Sequence, residues 1–329
     1  INMVKLILSV ILPAITYLFN FSLRNSCFPT LWKSSLVVPL PKKTGPTTLG
    51  DYRPISLLCC LSKALERIVH NQIINYFHEN NVLISFQSGF RTGHSTTTAL
   101  LRVTDDIRAA MDSRKLTLLT LFDFSKAFDC INHRLLLAKL RNYGLSESAH
   151  QWFQSYLEYR TQHVVYENVQ SQPKVVLSGV PQGSVLGPLL FSIFINDLPK
   201  VLKFTNYHLY ADDLQIYLHF PLTNLETAVE EINTDIADIV KWTHANGLRI
   251  NCSKTQPMII GYTKLKTKQG FDLDNAPKVN VDGTTIPYRT ITKNLGLTIN
   301  DTLTWTDQTL LTCNRVFAAM HSLKRSSLY

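Results

Sequence analysis

Two adjacent carboxylates, Asp212 and Asp213, interrupt the apolar and aromatic stretch HLYADDLQIYLHF, residues 208–220. Adjacent acidic residues are commonly solvated turn residues, because Asp tolerates turns. The flanks make that reading incomplete. Leu214, Ile216 and Leu218 alternate with Gln215, Tyr217 and His219, the period of two expected of a half-buried strand. With Tyr207–Tyr210 as a second short strand, the stretch predicts a β-hairpin whose tip is Ala211-Asp212-Asp213. Like charges on rigid, partly buried backbone repel, and burial adds to the cost. A divalent cation removes that cost, and Mg2+ prefers carboxylate oxygens while keeping positions open for water and phosphate.

On the hairpin alone, a solvated turn and a metal site both stand. A third carboxylate bears on the choice. In TLFDFSKAFDCINH, Asp123 closes the apolar run Leu116–Phe122, roughly ninety residues before Asp212. Such a continuous apolar run reads as a strand buried on both faces. By itself Asp123 reads first as a strand-end turn residue. Were the two strands neighbours, the carboxylates would converge, and a pair of Mg2+ ions about 4 Å apart could then serve an in-line displacement at phosphorus.

The elements that must position these groups follow from the rest of the chain. Its 329 residues, 45% hydrophobic, suffice for a large core and for two or three subdomains packed as one interlocked body. Lys and Arg number 33 against 24 Asp and Glu, a net charge of +9 that favours a polyanionic partner. The six cysteines, Cys27, Cys59, Cys60, Cys130, Cys252 and Cys313, show no C-x-x-C spacing, which argues against zinc and against a disulfide framework and fits a reducing, intracellular compartment. The apolar N-terminal stretch LILSVILPAITYLF is shorter than the roughly 20 residues a bilayer needs and holds Pro13, so it reads as a buried helix. The chain starts at Ile1 and ends in a basic helix, as a fragment of a longer polyprotein would.

Strand, Pro/Gly/Thr loop and strand are expected over SSLVVPLPKKTGPTTLGDYRPISLL, with Lys42, Lys43 and Arg53 around the loop. An amphipathic helix follows at Leu61, Leu65, Ile68, Val69, Ile73 and Tyr76, with Ser62 as its cap. The Gly-rich basic loop FQSGFRTGHST opens a second helix. Further helices are expected over CINHRLLLAKLRNYG, SAHQWFQSYLEYR, the apolar PLLFSIFINDLP segment, NLETAVEEINTDIADIVKWTHANG and about Trp305 to Lys324. QHVVYENVQSQPKVVLSG alternates like a hairpin, and Asp282-Gly283 marks another hairpin turn. No internal repeat is present, and the pattern is α+β.

In order, DYRPISLL, FQSGFRTGHST, FDFSKAFD, GVPQGSVLGPLLFSIFINDLP, YADD, NCSKT and NLGLTI resemble the ordered sequence blocks of reverse transcriptases, most closely the non-LTR retrotransposon type of the jockey-like kind. The resemblance covers nearly the whole chain and is densest from Leu36 to Gly261. It implies a right-hand polymerase fold with fingers, palm and a partial thumb, its antiparallel palm sheet packed on helices. Residues 1–35 would be a helical extension of the fingers, 36–261 the fingers and palm, and 262–329 the end of the palm, the primer-grip region and the start of the thumb.

The resemblance also implies roles for single residues. Asp123, Asp212 and Asp213 would hold two Mg2+ ions, with Mn2+ as a substitute, and the backbone carbonyl of Phe124 could reach a metal. Lys254 in NCSKT matches a lysine proposed to protonate the leaving pyrophosphate; a surface lysine is the other reading. Arg53 matches the arginine that grips the incoming triphosphate, and Lys42 and Lys43 would assist it, or be solvated loop charges. Phe128 falls at the steric gate that excludes a ribose 2′-OH, against a core Phe as the alternative, and Asp129 reads as an N-cap or structural partner. Gln182 and Gly183 would line the nucleotide pocket. Gln87, Gly89 and Arg91 match template contacts, and Leu295 and Gly296 the primer grip.

The implied activity is RNA-directed DNA polymerisation, adding dNTPs to a DNA primer on an RNA template, in the nucleus or cytoplasm. An upstream endonuclease domain of a longer polyprotein is expected, and neither it nor zinc knuckles occur in this sequence. An inactive, truncated RNA-binding remnant and a maturase-like or domesticated enzyme are the alternative readings.

Overall fold

Alternating and continuous apolar runs become strands, and 3.6-periodic runs become helices, in the computed structural model, which describes residues 6–167, 169–268 and 270–326. Residues 1–5 and 327–329 of the expected terminal segments, and Asn168 of the expected 162–179 hairpin, lie outside these. In chain order the elements are α1 (Leu8–Arg24), β1 (Ser34–Pro41), β2 (Tyr52–Leu57), α2 (Cys60–Glu79), α3 (Thr96–Asp112), β3 (Leu116–Phe122), α4 (His133–Asn142), α5 (Glu147–Leu157) and β4 (Thr161–Tyr166). Then follow β5 (Val169–Gln170), β6 (Lys174–Val175), α6 (Leu186–Ile195), β7 (Asn206–Tyr210), β8 (Asp213–Phe220), α7 (Leu225–Ala245), β9 (Gln256–Ile260) and α8 (Thr263–Lys268). The strands β10 (Val279–Val281), β11 (Thr284–Ile286), β12 (Ile291–Asn294) and β13 (Leu297–Asn300) precede α9 (Thr306–Ser326).

These elements group into two units. The first comprises Ile1–Ile84, Lys126–Asp197 and Asn246–Leu248; the second comprises Ser85–Ser125, Leu198–Ala245 and Arg249–Tyr329. In the first, β1 pairs with β2 antiparallel and with β4 in parallel. The apolar helix α6 is buried along its whole length except at Pro188, as its uniformly hydrophobic sequence requires. The helix α2 buries Leu65, Val69, Ile73 and Phe77 on one stripe. It does not start at the expected Ser62 cap. It begins at Cys60 with Cys59 before it and no side-chain cap bond, and the Ser62 hydroxyl instead donates to Glu66 one turn on, at 2.8 Å.

The second unit is built on an antiparallel four-stranded sheet in the order β7-β8-β3-β9. Its central strand is the continuous apolar run: β3 pairs with β8 from Leu116↔Phe220 to Phe122↔Leu214, and with β9 on its other edge. The strand β8 differs from the half-buried expectation, since Gln215 and Tyr217 are buried along with Leu214 and Ile216. Helices cover both faces. Val103, Ile107 and Met111 of α3 pack with Leu119, Tyr217, Met258 and Ile260, and α7 lies against β8. Each large apolar side chain buried this fully contributes about 1.5–3 kcal/mol. Two hairpins complete the unit. The turn between β10 and β11 is Asp282-Gly283 as expected, and Leu295 and Gly296 turn between β12 and β13 at φ 44° and 94°.

No helix among the described residues is long and apolar enough to cross a membrane.

Candidate active site

The turn between β7 and β8 is tighter than the sequence indicates. Tyr210 pairs with Asp213, so Asp213 is the first residue of β8 and only Ala211 and Asp212 turn the chain. Ala211 carries φ 58°, a left-handed conformation that costs a non-glycine residue about 1–2 kcal/mol. Continuing the β3–β8 register by one residue past Phe122↔Leu214 sets Asp123 opposite Asp213. The approach of Asp123 to the paired carboxylates, expected if the strands are neighbours, is for Asp213 a direct product of strand register, with Asp212 beside it in the turn. Like charges in cross-strand opposition are destabilising.

The electrostatics report that repulsion. Desolvation by surrounding protein, then the charges of Asp212 and Asp123, raise the Asp213 carboxyl from its usual range to about 6. Asp213 keeps an exposed edge, and solvent there screens part of the effect. A hard cation is the group that reverses this penalty, and an all-oxygen donor set suits one. The three side chains are not drawn into a preformed cage, since among the described residues no three His, Cys, Asp or Glu side chains are gathered as a metal cluster. Asp123 is paired instead with Lys254, whose Nζ lies 3.3 and 3.5 Å from its two carboxylate oxygens.

Lys254 reaches Asp123 because its loop is held against the end of β3. The Asn251 amide donates to the Asp123 carbonyl at 2.7 Å, and the Ser125 amide to the Arg249 carbonyl at 2.8 Å. The Asn251 carbonyl accepts from the Lys254 and Thr255 amides, closing the turn that carries the lysine. Phe124 and Ile250 form the antiparallel bridge between those two bonds. In such a non-hydrogen-bonded pair the backbone N–H and C=O turn away from the partner strand. The Phe124 carbonyl thus faces away from residues 249–251.

The expected nucleotide residues all belong to the first unit, where Phe128 and Gln182 are held by neighbouring side chains. Phe128 follows Ala127 in a single 3-10 turn, and its ring stacks on Phe191 at 4.5 Å between centroids. Its carbonyl accepts from the Val180 amide. The Gln182 side chain donates to Asp129 at 2.9 Å, which makes Asp129 the structural partner rather than an N-cap. The Gln182 carbonyl accepts from the Ser56 amide at 2.7 Å. Arg53 is exposed on β2. Lys42 and Lys43 are engaged within their own loop: Lys42 Nζ donates to the Gly50 carbonyl at 3.1 Å, and Lys43 pairs with Asp51 at 2.9 Å. That ammonium and the amides of Thr48 and Thr47 hold the Asp51 carboxyl well below its usual range.

The expected template residues sit beside the carboxylate turn in the second unit. Gln87 is 1% exposed and hydrogen-bonds the backbone of Ala211. Gly89 packs directly on Ala211, and Arg91 donates to the Gln87 carbonyl at 3.2 Å. Sequence reasoning missed Glu66, which is fully buried and accepts from the Val185 and Leu186 amides at 2.8 and 3.3 Å, capping α6 just after the PQGS loop. A carboxylate next to the apolar stripe of α2 was the available signal. Also missed was the bond from Asn294 to buried Gln215 at 2.7 Å, which ties the β12–β13 hairpin to the strand that Asp213 begins.

The comparisons with known proteins agree with this geometry. The model of the family "Reverse transcriptase (RNA-dependent DNA polymerase)" matches residues 40–299. A probable RNA-directed DNA polymerase from transposon BS of Drosophila melanogaster is 32% identical over 94% of this chain and 34% of that protein. The RNA-directed DNA polymerase from mobile element jockey of the same species is 30% identical over 88% of this chain and 31% of that protein. The chain thus spans about a third of the length of these curated relatives. Among solved structures, apo telomerase from Candida tropicalis aligns over 83% of this chain and 48% of that one, with a TM-score of 0.54 at 14% identity, a likeness of fold alone. That fold is the right-hand polymerase fold, α+β with an antiparallel four-stranded sheet in the second unit. A match over so much of the chain, on top of the Asp123–Asp213 opposition at the end of a central strand, makes the protein a member of the reverse transcriptase family.

Proposed function

We propose that the chain is the RNA-directed DNA polymerase core of a non-LTR retrotransposon, adding deoxynucleotides to a DNA primer on an RNA template. The observation that carries this reading is the β3–β8 register, which sets Asp123 opposite Asp213 next to the Asp212 turn. The carboxylates of Asp123, Asp212 and Asp213, with the Phe124 carbonyl, would hold Mg2+, and Mn2+ can take its place. When bound, the metal lowers the charge cost of the site and supplies electrostatic stabilisation to a phosphoryl group under attack.

In the reaction the primer 3′-oxygen attacks the α-phosphorus of the incoming nucleotide, and the bond to pyrophosphate breaks. Lys254, already at the Asp123 carboxylate, is suited to give the leaving pyrophosphate a proton. Arg53 would bind the triphosphate through its planar guanidinium. Phe128, held against Phe191, would exclude a 2′-hydroxyl, and Gln182, held by Asp129, would line the base pocket. Gly89 and Arg91 on the template side and Leu295 and Gly296 on the primer side complete the assignment. Residues 36–261 would form fingers and palm, 1–35 an extension of the fingers, and 262–329 the end of the palm and start of the thumb. A longer polyprotein with an endonuclease domain and an intracellular site of action belong to the same reading.

Purified protein, given an annealed DNA primer on an RNA template, dNTPs and Mg2+, is expected to extend the primer. Asp212→Asn should abolish extension while leaving the thermal transition in place. Retained RNA binding with no extension by the wild-type chain would instead identify a non-catalytic remnant.

A further inference from the structure

We propose that Gln87 is a positioning residue for the metal-binding carboxylates, acting as a clamp on the strained Ala211 backbone rather than as a contact to the template. The inference rests on the polymerase reading above and deepens it. Gln87 Oε1 accepts from the Ala211 amide at 3.0 Å and from the Gly89 amide at 2.8 Å, while Nε2 donates to the Ala211 carbonyl at 3.3 Å. One side-chain amide therefore satisfies both the donor and the acceptor of the single turn residue held at φ 58°. The orientation of the amide is fixed by chemistry, because the flipped form would set an NH2 group against two N–H donors.

The clamp is itself rigidly mounted. Residues 86–88 run alongside β7, with the Leu209 amide donating to the Phe86 carbonyl and the Ser88 amide to the Leu209 carbonyl, both at 2.8 Å. Gly89 brings this segment into contact with the turn, since a Cβ there would lie 2.1 Å from the Ala211 nitrogen. The Gln87 side chain, 1% exposed, has almost no surface left to offer a base. Ala211 precedes Asp212 and Asp213 directly, so any relaxation of its φ moves both carboxylates. A shift of about 1 Å in reacting groups costs on the order of 100-fold in rate.

Gln87→Leu keeps the volume and removes all three bonds. Its single-turnover rate of nucleotide addition is expected to fall by about 10- to 100-fold, with the Kd for the RNA–primer duplex changed less than about twofold. The double variant Gln87→Leu with Ala211→Gly should recover part of that loss, because glycine holds φ near 58° without strain. A weakened duplex affinity at an unchanged rate would overturn the clamp in favour of a template contact. Hydrogen exchange supplies a readout that needs neither activity nor a variant: in the wild-type protein the Ala211 amide should exchange as slowly as the amides of β3 and β8. Rapid exchange there would overturn the clamp even if primers are extended, and slow exchange in a chain that extends no primer would leave the clamp standing while the polymerase reading fails.

Discussion

At Gly183 the backbone takes φ 122°, and an added Cβ would lie 2.6 Å from the Ser56 carbonyl oxygen. The obstacle is backbone belonging to β2, which cannot swing aside as a flexible side chain could. Gly183→Ala is therefore expected to destabilise the chain by about 1–3 kcal/mol, read as a lowered urea midpoint at unchanged m-value. The opposing reading, an open loop position where alanine is neutral, would appear as an unchanged midpoint. At this scale the chemistry-bearing residues were legible wherever a short motif carried them. Asp123, Asp212 and Asp213 were visible because two negative charges inside an apolar run demand a reason. The tasks of Gln87 and Glu66 were not legible. A polar residue in a Gly-rich basic loop reads as surface, and only tertiary packing shows that Gln87 faces the Ala211 peptide and that Glu66 meets the amides of Val185 and Leu186.

Among the elements, β7 and β8 depend on a neighbour that the sequence pattern cannot name. His208 in β7 is 3% exposed, and its Nε2 lies 2.9 Å from the Ser88 hydroxyl. Burial first, then the charges of Arg102 and His94, push its imidazole down to about 4, against a smaller upward pull from Asp106. The unfolded chain binds a proton at this histidine near its ordinary value of 6.5, whereas the folded chain resists it until about 4. Stability tied to His208 is thus fully present above pH 6.5 and is lost as the pH falls through that window, by up to about 1.4 kcal/mol per pH unit. Comparing urea unfolding of wild type and His208→Gln at pH 7 and pH 4.5 isolates this term. The wild type should lose more stability than the variant, and parallel losses would refute the assignment. Strand existence followed from periodicity, as with Leu116–Phe122 and the YADD hairpin, whereas the pairing of Leu116–Phe122 with β8 and β9 came only with the fold. The second buried face of β8 did not, because Gln215 and Tyr217 are polar or amphipathic by type and are covered only by tertiary packing, Tyr217 against α3 and Gln215 against Asn294.

For the whole molecule, a net charge of +9 together with the polymerase activity proposed above predicts contacts led by phosphates rather than by bases. RNA–primer affinity should then fall steeply with salt, by more than about tenfold between ~50 and ~200 mM, and vary little with template sequence. A flat salt dependence in a filter-binding or anisotropy titration would contradict a phosphate-led interface. Fold class and family were legible from the order of the sequence blocks. The unit boundaries were not, because each unit is assembled from segments separated along the chain.

If strand register makes one cation site out of Asp123, Asp212 and Asp213, the folded protein binds a divalent ion there without substrate. Titrating the folded protein with Mn2+ and counting the bound ion by electron paramagnetic resonance tests it without any reference to activity. Saturable binding is expected of the wild type, lost or weakened by about tenfold or more in both Asp123→Asn and Asp213→Asn, each removing a negative ligand from the same ion. Equal Mn2+ binding by the wild type and the two variants would contradict it.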